Sequence, residues 1–156
     1  MFISADTTVA VDFGTASTRL ADLARGDGLH QDSGDLYDSA VERLVRVGPA
    51  GSVPGISKLV RVRFTDPVRR PGELAVGLRW EATGAAGKLF PALDADIRLI
   101  ADGHAGTQLV VTGSYRPPFG MVGAEIDRRV LHGVADATIK QLLRQVARRL
   151  TDVPEP

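Results

Sequence analysis

The chain has 156 residues, 44% of them hydrophobic and 24% charged, with 19 Lys and Arg balanced by 19 Asp and Glu. That length suits one domain, and the neutral balance excludes nucleic acid as the main partner, because phosphate binding calls for a cationic excess. The absence of cysteine excludes disulfides, thiolate catalysis and Cys-based zinc sites.

Residues 3–12, "ISADTTVAVD", alternate as a half-buried strand: Ile3, Ala5, Thr7, Val9 and Val11 share one face, with Asp12 on the other. In "FGTASTRLADLARGDG", Leu20, Leu23 and Ala24 have helical spacing, and Gly26 and Gly28 can stop the helix. A second short helix fits "SGDLYDSAVERL", with Ser33 or Asp35 as its cap and Leu36, Tyr37, Ala40 and Val41 as its stripe. From there to Pro118 the chain reads as strand, in "RLVRVG", "SKLVRVRFTD", "ELAVGLRWEATG", "ALDADIRLIADG" and "TQLVVTGSYR", each bounded by Gly, Pro or Asp. Within these segments apolar and polar residues alternate, so the sheet is antiparallel with one oily and one wet face. The last element is a long helix from Gly120 to Leu150, the one element long enough to cover the oily face. The chain is expected to form a single domain over residues 1–150, followed by a flexible tail over 151–156.

The fold class expected from this order is α+β: a curved antiparallel sheet of about six or seven strands, two short helices after strand 1, and a long C-terminal helix. The order, together with "SKLVRVRFTDP", "LRWEATG", "LFPALDADIRL", "YRPPFG" and "LHGVADATIKQLL", resembles the START-like superfamily. That superfamily, also called SRPBCC, includes polyketide cyclases, pollen-allergen-like proteins and lipid-transfer domains. The resemblance spans nearly the whole chain and is nearest to small actinobacterial members. It implies the helix-grip fold, in which a seven-stranded sheet wraps the C-terminal helix and leaves a cavity for an apolar ligand. The motifs speak to fold and not to activity.

The shared phase of the strands and the helix gives a candidate ligand-binding wall of Val62, Phe64, Leu78, Trp80, Leu93, Ala95, Leu109, Tyr115, Ile139 and Leu142. Trp80 is the single tryptophan. It serves equally as a core residue or as a flat wall for an apolar ligand. His30, His104 and His132 show no metal-ligand spacing, so no metal and no cofactor is expected. Tyr115 and His132 are the weak candidates for proton transfer, although a half-buried helix histidine needs no function. Asp94 and Asp96 share a strand face, which reads as solvated and paired across strands with Arg79 or Arg98. "GAAGK" at residues 84–88 lacks the spacing of a phosphate loop.

Three functional classes remain. The first is non-catalytic binding of a hydrophobic or lipid-like molecule in the cavity. The second is a cyclase- or dehydratase-like acid–base enzyme using the same cavity. The third is an interaction or subunit protein with a filled cavity. The N-terminus lacks the basic and apolar regions of a signal peptide, and no apolar run approaches the roughly 18 residues of a membrane span. A cytoplasmic location is the default.

The terminal helix shows two apolar stripes. Phe119, Val122, Ile126, Val130 and Val134 form one, and Leu131, Ala135, Ile139, Leu142, Leu143, Val146 and Leu150 form the other, with the change of face near Leu131–Ala135. The first stripe is covered either by the short helices or by a second copy of the chain through Phe119, Val122, Ile126 and Val130. Internal cover is the expectation, and Ile126→Asp tests it. Sedimentation should show a monomer before and after substitution, with markedly lower stability after it. A wild-type dimer that splits into folded monomers would place the stripe at an interface instead.

Overall fold

The computed structural model describes residues 1–26, 60–82, 92–103, 105–116 and 128–152. The expected second helix, the strand "RLVRVG", the "GAAGK" turn, His30, His104, Phe119, Val122 and Ile126 lie outside these residues. The described elements are β1 (Phe2–Val9), α1 (Phe13–Arg25), β2 (Val60–Phe64), β3 (Val68–Arg70), β4 (Glu73–Ala82), β5 (Ala92–Ala101), β6 (Thr107–Arg116) and α2 (Arg128–Thr151). The strands form one six-stranded antiparallel sheet in the order β1-β6-β5-β4-β2, with β3 also paired to β4. An antiparallel sheet gripped around a long C-terminal helix is the helix-grip arrangement.

Register follows from the two-residue period of the strands. Trp80, Leu93 and Tyr115 stand abreast on three adjacent strands. The next inward row is Phe64, Leu78, Ala95, Gly113 and Ile3. Then come Val76, Ile97, Val111 and Ala5, and after them Leu74, Leu99, Leu109 and Thr7. Most of these side chains are almost entirely shielded from water. The opposite face is polar: Asp94 lies across from Arg79, and Arg98 donates from Nε to Glu73 at 2.6 Å. Asp94 and Asp96 are both exposed, on the wet side of their strand.

Strand β3 was not apparent from the sequence. Between the pairs Phe64↔Leu78 and Val68↔Ala75, three residues of one strand face two of β4, so the edge carries a bulge. Thr65 shapes it. Its N–H donates to the Gly77 carbonyl at 2.9 Å, and its Oγ1 accepts from the Gly77 N–H at 2.8 Å. A Cβ on Gly77 would meet the Thr65 side chain at 2.9 Å, so this approach needs glycine. Pro71 and Gly72 then turn the chain from β3 into β4, with Gly72 at φ +70°.

Two helices cover the inward face: α2 rests mainly on β1 and β6, and α1 on β5 and β4. Asp12, expected within the first strand, instead caps α1, its carboxylate accepting the Thr15 N–H at 2.9 Å. At the far end of α2, Arg19 of α1 donates to the Leu150 carbonyl. A cation there satisfies an acceptor that the helix leaves open and suits the negative end of its dipole. Along α2 the residues Leu131, Val134, Ala135, Thr138, Ile139, Leu142, Leu143, Val146 and Leu150 are buried. Val134, assigned to the first stripe, is therefore buried beside Leu131 and Ala135 of the second, and Val130 is half-buried. Within α2 there is one broad buried face.

Two substitutions test this packing. A Cβ on Gly113 would lie 2.8 Å from the Ala95 Cβ and 3.0 Å from the Asp94 carbonyl. Gly113→Ala should cost about 1–3 kcal/mol by urea denaturation, and adding Ala95→Gly should restore part of the loss. The second concerns Asp12, whose carboxyl is held below its ordinary pKa by its hydrogen bonds with Thr15. A lowered folded-state value contributes stability above the ordinary aspartate range, and that contribution is lost as pH falls through the lowered value. The gap in urea midpoint between the wild type and Asp12→Ala should thus be widest near neutrality and narrow on acidification.

Candidate functional site

The inward face has a floor of uneven height. Its end row holds Trp80, Leu93 and Tyr115, which carry large side chains on three neighbouring strands. The row beside it narrows to Ala95 and Gly113 in the middle, with Leu78 and Ile3 on either side. The row beyond is again branched, with Val76, Ile97 and Val111. Ala95 and Gly113 thus form a patch of small residues between larger rows, and their close approach leaves no room for anything larger at Gly113. Trp80 and Tyr115 stand in the row next to this patch, with rings that each bear one polar atom, indole Nε1 and phenol OH.

Nine of the ten expected wall residues can be assessed by burial, and Val62 is placed by register alone, opposite Trp80. Leu78, Trp80, Leu93, Ala95, Leu109 and Tyr115 are buried on the sheet, and Ile139 and Leu142 are buried on α2. Phe64 is half-buried and packs against the same core. The fold thus brings these residues to one interior face. Of the two proton-transfer candidates, Tyr115 is fully buried on that face, whereas His132 is exposed on α2 beside the exposed Gly133. His132 therefore does not point into the interior as the enzyme reading needs. The buried side chains with polar character also include Ser17, Thr107 and Thr138. Thr107 Oγ1 donates to the Val11 carbonyl at 2.7 Å and Thr138 Oγ1 to the Val134 carbonyl at 2.8 Å, so both are used by the fold. No group of His, Asp and Glu with the makings of a metal site occurs among the described residues.

A second recess was missed by sequence reasoning. It is a solvent-open groove of ≈ 440 Å³ between β1 and the C-terminal half of α2. Val9, Leu143 and Ala147 give it an apolar lining, the α2 side carries Lys140, Arg144 and Arg148, and the β1 side carries Asp6 and Thr8. None of the ten expected wall residues lines it. Its one sequence signal is the spacing of those cations, four residues apart on one helix face.

No protein-family model matches the chain, and no curated protein matches it. Among solved structures, a conserved protein from Geobacillus kaustophilus is similar with a TM-score of 0.54 and 17% identity, over 96% of this chain and 95% of that one. A hypothetical protein from Helicobacter pylori follows with a TM-score of 0.48 and 10% identity, over 94% and 88%. Norcoclaurine synthase from Thalictrum flavum, solved with a transition-state analogue, has a TM-score of 0.40 and 15% identity, over 93% and 95%. The chain shares its overall fold with the Geobacillus protein, and no described helix is long and apolar enough to cross a membrane.

Proposed function

We propose that the chain is a START-like protein that holds a hydrophobic or lipid-like small molecule between the sheet and α2 without turning it over. The observation that carries this reading is the patch of small residues at Ala95 and Gly113 on the inward face, in the row next to Trp80 and Tyr115. A flat apolar group seated there would stack against aromatic faces and gain about 25 cal/mol per Å² of apolar surface removed from water. The two polar ring atoms would orient any hydroxyl or carbonyl the ligand carries.

The acid–base reading is supported less well. It had two proton carriers, and the exposure of His132 leaves it Tyr115. The buried side chains among the described residues include no carboxylate, histidine or lysine. The filled-interior reading rests on a different observation: both helices already bury their apolar faces against the sheet.

Nile red, a neutral apolar fluorophore, separates these readings. Titration should change the emission of Trp80, the only tryptophan. Ala95→Leu should place a large side chain at this patch and weaken binding at least tenfold, about 1.4 kcal/mol, while the protein still melts cooperatively. His132→Ala should leave binding unchanged. Unaltered Trp80 emission at saturating dye, or full affinity in Ala95→Leu, would remove the ligand site and favour the filled interior.

A further inference from the structure

We infer that the edge of β1 that has no strand neighbour among the described residues and the cationic side of α2 together form a docking site for an extended acidic peptide, which adds to the sheet as a further strand beside β1. The argument begins with the backbone. Tyr115 N–H donates to the Met1 carbonyl at 2.7 Å, and the Met1 amino group donates to the Tyr115 carbonyl at 3.0 Å. That facing pair exchanges both bonds. Bonded and non-bonded pairs alternate in an antiparallel ladder, so the N–H and C=O groups of Ser4, Asp6 and Thr8 point away from β6. Among the described residues β1 has a strand neighbour on that one side only. A row of open donors and acceptors is a template for an incoming strand.

Side-chain chemistry then chooses the strand. Lys140, Arg144 and Arg148 stand at successive turns of α2 along the groove beside β1. Their spacing is about 6 Å along the helix, and alternate residues of a strand repeat at about 6.6–6.8 Å. Acidic residues at every second position of an added strand would therefore meet all three cations in step. Lys140 already pairs with Asp136 at 2.7 Å, whereas the side chains of Arg144 and Arg148 have no ion-pair partner among the described residues. Their guanidinium groups match carboxylates bidentately. Beneath them Val9, Leu143 and Ala147 give the incoming strand an apolar surface to cover. The placement of Arg148 in the last turn is also favourable for the helix dipole, but that does not account for Lys140 and Arg144 facing the same groove.

The test uses the whole chain and a capped peptide, Thr-Glu-Val-Glu-Val-Glu-Thr. Amide NMR should show shifts concentrated at Ser4, Asp6 and Thr8. Arg144→Glu with Arg148→Glu should weaken binding at least tenfold. Both residues are exposed, so melting curves should confirm an intact core. Two peptides N-methylated at alternate positions, in opposite phases, should differ: only the phase that blocks bonds to β1 should lose binding. Equal binding of both methylated forms would overturn the strand pairing and leave a charge attraction alone. Affinity unmoved by the charge reversal would overturn the role of the cations. Displacement by an equal concentration of inorganic phosphate would show a simple anion site instead. Self-association that protects the β1 amides without peptide would identify a second copy as the occupant and overturn the proposal.

Discussion

The one-sided apolar face of the sheet is the constraint from which the other features follow. Trp80, Leu93 and Tyr115 lie on the same side because neighbouring strands pair residue to residue with side chains alternating at a period of two. A slip of one residue in β5 would send Leu93, Ala95, Ile97 and Leu99 to water and bring Asp94, Asp96 and Arg98 into the core. Burying even one of those charges without a partner costs several kcal/mol, comparable with the net stability of a small domain. The register is therefore fixed by what must stay out as much as by what goes in.

Covering that face divides the work between two helices of different character. The shorter, α1, presents small residues, Ala16, Ser17, Ala21 and Ala24, around Leu20, which lets it sit close over β4 and β5. The longer, α2, presents Ile139, Leu142, Val146 and Leu150 and stands over β1 and β6. Arg19 binds the end of one helix to the side of the other through the Leu150 carbonyl. The small Ala95 and Gly113 lie on this same covered face, so any ligand held there, as proposed above, would draw on residues that also pack the core.

Much of the sheet was legible because its signal is contrast between faces. The alternation of Leu78 and Trp80 with Arg79, and of Leu93, Ala95 and Ile97 with Asp94 and Asp96, gave both the strands and their inward residues. Strand β3 carries no such contrast: Val68, Arg69 and Arg70 are all exposed, and β3 is held by its pairing to β4. Asp12 lies where a strand pattern runs into a helix, and alternation alone assigned it to the strand, although an aspartate immediately before the first helical residue is a capping signal. Within α2, Val134 of the first stripe joins the second, which a helical wheel does not show because it has no knowledge of how wide the partner surface is. Flanked by β1 and β6, the helix buries an arc broad enough to take in both Val134 and Leu143.

The basic groove was illegible for a different reason. Neutral net charge hides an uneven distribution: α2 carries Arg128, Arg129, Lys140, Arg144, Arg148 and Arg149 against Asp136 alone. Much of the compensating negative charge sits elsewhere, including Asp94 and Asp96 on the wet face of the sheet. Periodicity reports which side of an element is oily, but it does not report which edge of a sheet a cationic helix side will overlook. That depends on α2 lying over β1, a tertiary fact. Edge strands are commonly protected by charge against unwanted pairing. Here Lys140, Arg144 and Arg148 outnumber Asp6 along the groove, which disfavours cationic strands while leaving acidic ones attracted. The same residues that guard the edge therefore also select what can approach it.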